Sequence, residues 1–589
     1  MQVYDAPLRD MRFVLNELHA DDGFGDIPAL SEFTPDLTDA ILEEAARFCR
    51  DVLLPINRSG DEEGCHLENG VVRTPAGFPE AYKQFAEGGW TALASDPEWG
   101  GQGLPEAVNK LVEEMICSSN LSFGLYPGLT HGATTAIEGH GSDALKQAYL
   151  PKMVSGQWSG TMCLTEPHCG TDLGLLRSRA VPQGDGSYKV TGSKIFISAG
   201  EHDLTENIIH LVLARLPDAP KGVKGISLFL VPKYLPREDG TPGQSNGVAC
   251  AAIEHKMGLK ASATCQMNFD DSIGWIVGEP GKGMAAMFTM MNTERVSVGI
   301  QGLGVGEAAY QAAAWYAKDR IQGRALSGPK YPDQAADPII VHPDVRRMLM
   351  SMRAQIEGAR ALAYVAAAMS DKAHHAADEA VRKQNQAAYE FLVPIVKGWS
   401  TEMSLNVTST GVQVHGGMGF IEETGAAQYY RDAQILTIYE GTTAIQANDL
   451  VGRKTSRDAG AVAKHFIAQV RATQAELAAS SNADLQAIAK QLALGATALE
   501  DVVNFVVANF KSDIKAVFSG SVPYLKLAGV VLGGWQLGRA ALIAEKLNAA
   551  GEGDSSFNQT KMATARFFAD HILTTSFGLR SSIVEGAAG

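Results

Sequence analysis

The order in which hydrophobic periodicity changes along this 589-residue chain constrains its fold more than any other feature. From about residue 37 to 160, apolar side chains recur at helical spacing: Leu42, Ala45, Ala46, Cys49 and Leu53, then Leu111, Met115 and Ile116. From 161 to about 280, short β-branched runs take over, such as Ile208 to Leu213 and Ile226 to Val231. After Gly281-Lys282-Gly283 the helical spacing returns, with Met284, Met287, Phe288 and Met291 as a core-filling stripe. Long helical stretches follow at about 343–375 and 378–412. Lys454 to Gly460 reads as a linker, and the remainder is Ala-rich helix. The expected architecture is multi-domain α+β: an N-terminal extension at 1–36, a helical domain at 37–160, a β-domain at 161–280, a helical bundle at 281–454 and an additional helical domain at 455–589. Inside the β-domain, Ser187 to Val190 and Lys194 to Ser198 flank Thr191-Gly192-Ser193, which predicts a hairpin, and Pro236 to Gly247 reads as a polar loop.

Charge and cysteine usage narrow the partners. A net charge of −16 argues against nucleic acid or an anionic membrane surface, so an anionic ligand must be met by local basic residues. The seven cysteines are odd in number and scattered, as expected of reduced thiols in a cytosol-like compartment. The first ten residues carry acids and a proline, unlike a signal peptide. The longest uncharged apolar stretch, Leu527 to Gly538, is too short to span a bilayer. The expectation is a soluble, cytoplasmic protein without a transmembrane segment.

Two segments carry chemistry. Ile438-Tyr439-Glu440-Gly441-Thr442-Thr443 sets one carboxylate between an apolar run and a Gly-Thr-Thr helix start. A Glu held against apolar side chains loses hydration of its charged form, and its pKa rises towards that of a general base at neutral pH. Gly441 lets the backbone approach a ligand, and Thr442 or Thr443 can cap the following helix. The second segment, Met162 to Asp172, supplies hydroxyls at Thr165 and Thr171 and a Gly170-Thr171-Asp172 turn whose N–H groups can cradle an anion. A metal site at Cys163, His168 and Cys169 is not expected, because no second ligand pair follows at matching spacing. Gly302-Leu303-Gly304-Val305-Gly306 lies in a helical pattern with no strand before it, so it predicts close helix packing rather than dinucleotide binding.

In this order, the motifs resemble the acyl-CoA dehydrogenases over roughly residues 40–455. Cys163 to Pro167 with Gly170 to Asp172 is similar to the family's first signature, and Lys194 to Ser198 to the β-domain strand beside the flavin. Val412 to Phe420 and Ile438 to Thr442 are similar to its two late signatures. The resemblance implies an N-terminal helical domain, a barrel-like β-domain and a four-helix bundle, with FAD between the last two and a neighbouring subunit of a homodimer. It assigns Cys163, Thr165, Gly170, Thr171, Phe196, Ser198, Arg320, Gln413, Gly417 and Thr442 to FAD. Thr165 meets the pyrimidine edge, Ser198 flavin N5, Phe196 one flavin face, and Arg320, Gln413 and Gly417 the ADP half across the interface. Thr171, Asn292, Arg295, Tyr439, Glu440 and Gly441 are assigned to substrate, with Arg295 as a local cation for a CoA phosphate.

The implied reaction is α,β-dehydrogenation of an acyl-CoA thioester. Glu440 takes the α-proton, the β-hydrogen leaves as hydride to flavin N5, and electrons pass to electron-transfer flavoprotein. An acyl-CoA oxidase using O₂ and a non-catalytic scaffold on the same fold are the alternatives. This chain departs from the common family pattern at Phe196, where many members have Trp, in the exchanged hydroxyls of Thr171 and Ser198, and at Ala444. The segment beyond 455 and the opening Tyr4 to Phe13 resemble a C-terminally extended branch of the family. Members of that branch act on 3-methylmercaptopropionyl-CoA or on fatty acyl-CoA esters, which enter β-oxidation.

Overall fold

The computed structural model describes residues 2–20 and 23–586. The chain divides into two compact units, one of residues 48–104 and 119–294, the other of 1–47, 105–118 and 295–589. These units cut across the segments expected from periodicity: 37–47 and 105–118 group with the bundle and the C-terminal helices.

The unit of 48–104 and 119–294 is built around a seven-stranded sheet. Strand Thr264–Val277 pairs with Tyr188–Ser198 and with Ile226–Pro232; Ile226–Pro232 pairs with Asn207–Arg215; Asn207–Arg215 touches Arg179–Pro182, which returns to Tyr188–Ser198. The pairing closes on itself, as a β-barrel does, and so leaves few free edges. Asn207–Arg215 and Ile226–Pro232 are buried on both faces, which explains their continuous apolar runs. Phe229, Val212, Cys163, Ile197 and Met267 fill the interior.

The expected hairpin at 191–193 is absent. Tyr188–Ser198 is one strand of 11 residues. Gly192 is required there by a close approach: a Cβ on it would lie 2.2 Å from Ser178 Oγ. Glycine in this strand marks a crowded neighbour, not a turn. The expected loop 236–247 likewise contains a two-stranded ribbon, Tyr234–Pro236 with Pro242–Ser245.

The other unit is helical. Its long helices include Pro343–His375, Glu379–His415, Ala483–Asn509 and Ser521–Ala550. Gly302 and Gly304 serve close packing as expected: a Cβ on Gly302 would stand 2.9 Å from Ser400 O, and one on Gly304 2.8 Å from Cys117 Cβ. Gly529 and Gly533 bring Ser521–Ala550 flat against the Trp399 indole, where a Cβ would lie 2.2 and 2.4 Å from ring atoms.

Two helices, Ala483–Asn509 and Ser521–Ala550, are long and apolar enough to cross a membrane by length and composition. This corrects the reading of Leu527 to Gly538, because the helix continues through Lys526 and Arg539 for 30 residues. Within the fold, 89% of the apolar window of Ser521–Ala550 is buried, as in the core helix of a packed bundle. Of the expected linker, Lys454 to Gly460, the first two residues end a π-helical segment, Leu450–Thr455, in which Leu450, Val451 and Thr455 are buried, and residues 456–460 form a turn.

Candidate active site

Glu440 sits on a turn between two short helical pieces, Ile435–Thr437 and Thr443–Asp449. Thr442 caps the second, its Oγ1 accepting from Ile445 N at 3.3 Å. The backbone is left-handed at Glu440 (φ +55°) and at Gly441 (φ +87°). For a glutamate that conformation costs about 1–2 kcal/mol, and it persists only where the surroundings fix it.

The Glu440 carboxylate makes no hydrogen bond or ion pair among the described residues, and its own N–H donates to nothing among them. Part of its surface stays open, so the carboxyl lies in a recess rather than a sealed core. Burial among surrounding atoms pushes its pKa up to about 7, against the opposing pull of Arg295 and Lys397. Arg295 is 3% exposed, and its guanidinium pairs with Asp449 at 3.3 Å. The resemblance places Arg295 at a CoA phosphate; the structure instead buries it and sets its charge in the field of Glu440. Tyr439 donates its hydroxyl hydrogen to Gln301 Oε1, which fixes the ring beside the turn.

A second cluster lies in the barrel unit. Glu166 is buried and accepts from Arg177 N, Ser178 N, Ser178 Oγ and Lys194 Nζ, at 2.6–3.0 Å. Three of those bonds close the 164–178 loop on itself, the Lys194 bond ties it to strand Tyr188–Ser198, and Ile195 N adds a bond to Thr165 O at 2.9 Å. On this frame the Phe196 ring is 61% exposed and its backbone is left-handed at φ +58°. The Thr165, Thr171 and Ser198 hydroxyls make no hydrogen bond among the described residues, whereas the neighbouring Ser178, Ser193 and Thr191 hydroxyls are all engaged. Glu166, His168 and Cys169 come within metal-ligand reach of one another, but the Glu166 oxygens are already taken. Cys163 points inward: it is fully buried beside Thr161 and His210, and burial pushes its thiol up to about 12, so only its backbone can face a ligand. Of the other expected residues, Asn292 is half-buried, while Arg320, Gln413 and Gly417 are exposed.

Comparisons with known proteins decide the family. Models for the N-terminal, middle and C-terminal domains of acyl-CoA dehydrogenase match residues 35–157, 161–272 and 281–455, and an acetyl-CoA dehydrogenase C-terminal-like model matches 466–589. The chain is 49% identical to the 3-methylmercaptopropionyl-CoA dehydrogenase of Ruegeria pomeroyi, over 99% of this chain and 98% of that one. The chain belongs to the acyl-CoA dehydrogenase family. A butyryl-CoA dehydrogenase of Syntrophomonas wolfei is 36% identical over 98% of this chain and 96% of its own length. A crystal structure of an acyl-CoA dehydrogenase with FAD from Bacillus anthracis shares the fold, with TM-score 0.76, 20% identity, and coverage of 99% of this chain and 93% of that one.

As a member of this family the chain is an FAD-dependent acyl-CoA dehydrogenase, and the barrel cluster fits that cofactor. An exposed aromatic ring held at a strained backbone, flanked by unengaged hydroxyls, is what a planar heteroaromatic with polar edges requires. Sequence reasoning missed Lys397, Gln446 and the Arg295–Asp449 pair around Glu440. Lys397 left a usable signal: it is the lone charge in the apolar run Phe391 to Trp399.

Proposed function

We propose that this acyl-CoA dehydrogenase takes the α-proton of its thioester with Glu440. The observation that carries the reading is the state of that carboxyl: recessed, free of hydrogen bonds among the described residues, and poised near neutrality. A base with that affinity is ionised enough at neutral pH to accept a proton and basic enough to pull one from carbon, which is worth roughly 10²–10⁴ in rate. The α C–H is acidified only if the thioester oxygen is stabilised as charge develops on it. The Glu440 N–H, which has no other acceptor among the described residues, is the donor this chain offers, at about 3 kcal/mol for a well-aimed bond. Gly441 keeps the backbone low enough for the thioester to approach that N–H.

FAD, when bound, supplies the hydride acceptor for the β-hydrogen. On the chain's side, Thr165 and Ser198 would hold its polar edges, Phe196 would cover a face, and Gly170 and Thr171 would meet its phosphates. Thr442 would add a phosphate contact, and Arg320, Gln413 and Gly417 would serve the ADP half bound by a neighbouring copy in the proposed homodimer. Thr171, Asn292 and Tyr439 are the further residues proposed to serve the substrate.

The ester proposed is 3-methylmercaptopropionyl-CoA, since the identity to the relative of that name runs the length of both chains, the C-terminal segment included. Electron-transfer flavoprotein is the proposed acceptor and the cytoplasm the proposed compartment. Turnover of the purified holoenzyme over a panel of CoA esters tests the substrate. The methylthio-propionyl ester is expected to give the highest kcat/KM; a straight-chain fatty acyl ester exceeding it by about tenfold would overturn this assignment.

A further inference from the structure

The left-handed turn that carries Glu440 is held by two fully buried side chains from different helices. Lys397, on Glu379–His415, donates from Nζ to Leu436 O and to Gly441 O, both at 2.8 Å. Gln446, on Thr443–Asp449, donates from Nε2 to Glu440 O at 3.0 Å and to Gly441 O at 3.3 Å. Both side chains are 0% exposed. Three carbonyls that no helix or strand satisfies are thereby paired, on the two sides of the strained residue.

A glutamine would serve such carbonyls without burying a charge, and at 446 one does. A lysine at 397 is unfavourable by comparison, because a buried ammonium must give up its hydration. Its partners are carbonyls only, so no carboxylate offsets that loss by direct contact. The charges that face it are Glu440 and Glu402, with Arg295 opposing, itself paired to Asp449. Glu402 is engaged by the Thr443 hydroxyl.

We propose that Lys397 is a positioning residue for the dehydrogenation: with Gln446 it clamps the carbonyls at 436, 440 and 441, and its positive charge keeps the Glu440 carboxylate available. The proposal rests on Glu440 being the base. Burial brings Lys397 down to about 7, into the range to which it lifts Glu440, and each group favours the charged form of the other. Up to about pH 7, where Lys397 is still an ammonium, its charge favours the ionised form of Glu440 and sets the rising limb at lower pH.

The test uses Lys397→Met and Gln446→Met holoenzymes mixed anaerobically with saturating acyl-CoA, following flavin bleaching against pH. Both variants are expected to lose about 10-fold to 100-fold in limiting rate, while ester affinity changes less than about threefold. Only Lys397→Met is expected to move the rising limb of the pH profile to higher pH, because only it removes a charge that favours the carboxylate. A structural filler would not move that limb. A Lys397→Met enzyme with the wild-type rate, or with a lower rate on an unmoved limb, overturns the proposal. Should Lys397→Met not fold, Gln446→Met decides the clamp: wild-type limiting rate there overturns it. Glu440→Gln runs alongside; if it bleaches its flavin at the wild-type rate, the base assignment itself falls, which is a separate result from an active Lys397→Met beside an inactive Glu440→Gln.

Discussion

Two of the places where the helical unit buries charge are arranged to opposite effect. Around Arg360, which is 1% exposed, the guanidinium pairs with Glu114, Glu307 and Asp10 at 2.6–3.2 Å, and Tyr364 adds a hydroxyl to Glu114. Lys561 joins Asp10 to Glu357, and Arg353 pairs with Glu357 at 2.6 Å. Every acid in the group has a partner. Burial raises the Asp10 carboxyl, but Lys561 and Arg360 outweigh it and hold it at about 2. Four carboxyls meet three cations, and it is the deeply buried Glu114 whose proton affinity burial raises. At Glu440 the cations stand near but bond elsewhere, Arg295 to Asp449 and Lys397 to carbonyls, and the carboxyl is left poised near neutrality. Paired charge holds elements together; unpaired charge is available for chemistry.

The comparison breaks first at Glu440. Glu440→Gln is expected to lower the limiting rate of flavin reduction by at least roughly 10²-fold to 10⁴-fold while the protein still binds FAD and melts no lower than wild type, since an unpaired buried acid contributes nothing to the fold. Arg360→Met should do the reverse. It strands Glu114, Glu307 and Asp10 without their cation, so denaturant unfolding at neutral pH should register a loss of about 3–5 kcal/mol. A mild Arg360→Met and a destabilised Glu440→Gln would invert the contrast. The smallest effect sharpens it in the barrel unit: Thr165→Ala, losing one hydroxyl that has no partner among the described residues, should leave the melting temperature of the apoprotein unchanged. It should weaken FAD binding by about 1 kcal/mol in a direct titration.

The sequence is legible where periodicity and short motifs carry information. The helix–β–helix order, the Glu440 turn and a cap at Thr442 or Thr443 all rest on local patterns; the structure puts the cap at Thr442 and adds a left-handed backbone at Glu440 that no local pattern signals. Long-range pairing is not legible in this way. Asp10 reads as part of an N-terminal extension, yet it meets Arg360 and Lys561, 350 and 551 residues away. Arg295 reads as a cation for a phosphate because its partner Asp449 lies 154 residues on. Gly192 reads as a turn because the crowding it relieves comes from Ser178, outside its own strand. The three cases share one cause: a side chain's neighbours in sequence suggest its role, but its partners in space are not written beside it.

Direct titration of the Glu440 carboxyl tests the central claim most closely. Infrared difference spectra of the substrate-free holoenzyme, wild type minus Glu440→Gln, isolate that group's carbonyl stretch as pH is varied. A protonated carboxyl disappearing with a midpoint of about 7 is the expected result. A midpoint in the ordinary glutamate range, near 4.5, would mean that the recess does not set the acid's affinity, and the account of Glu440 would be wrong.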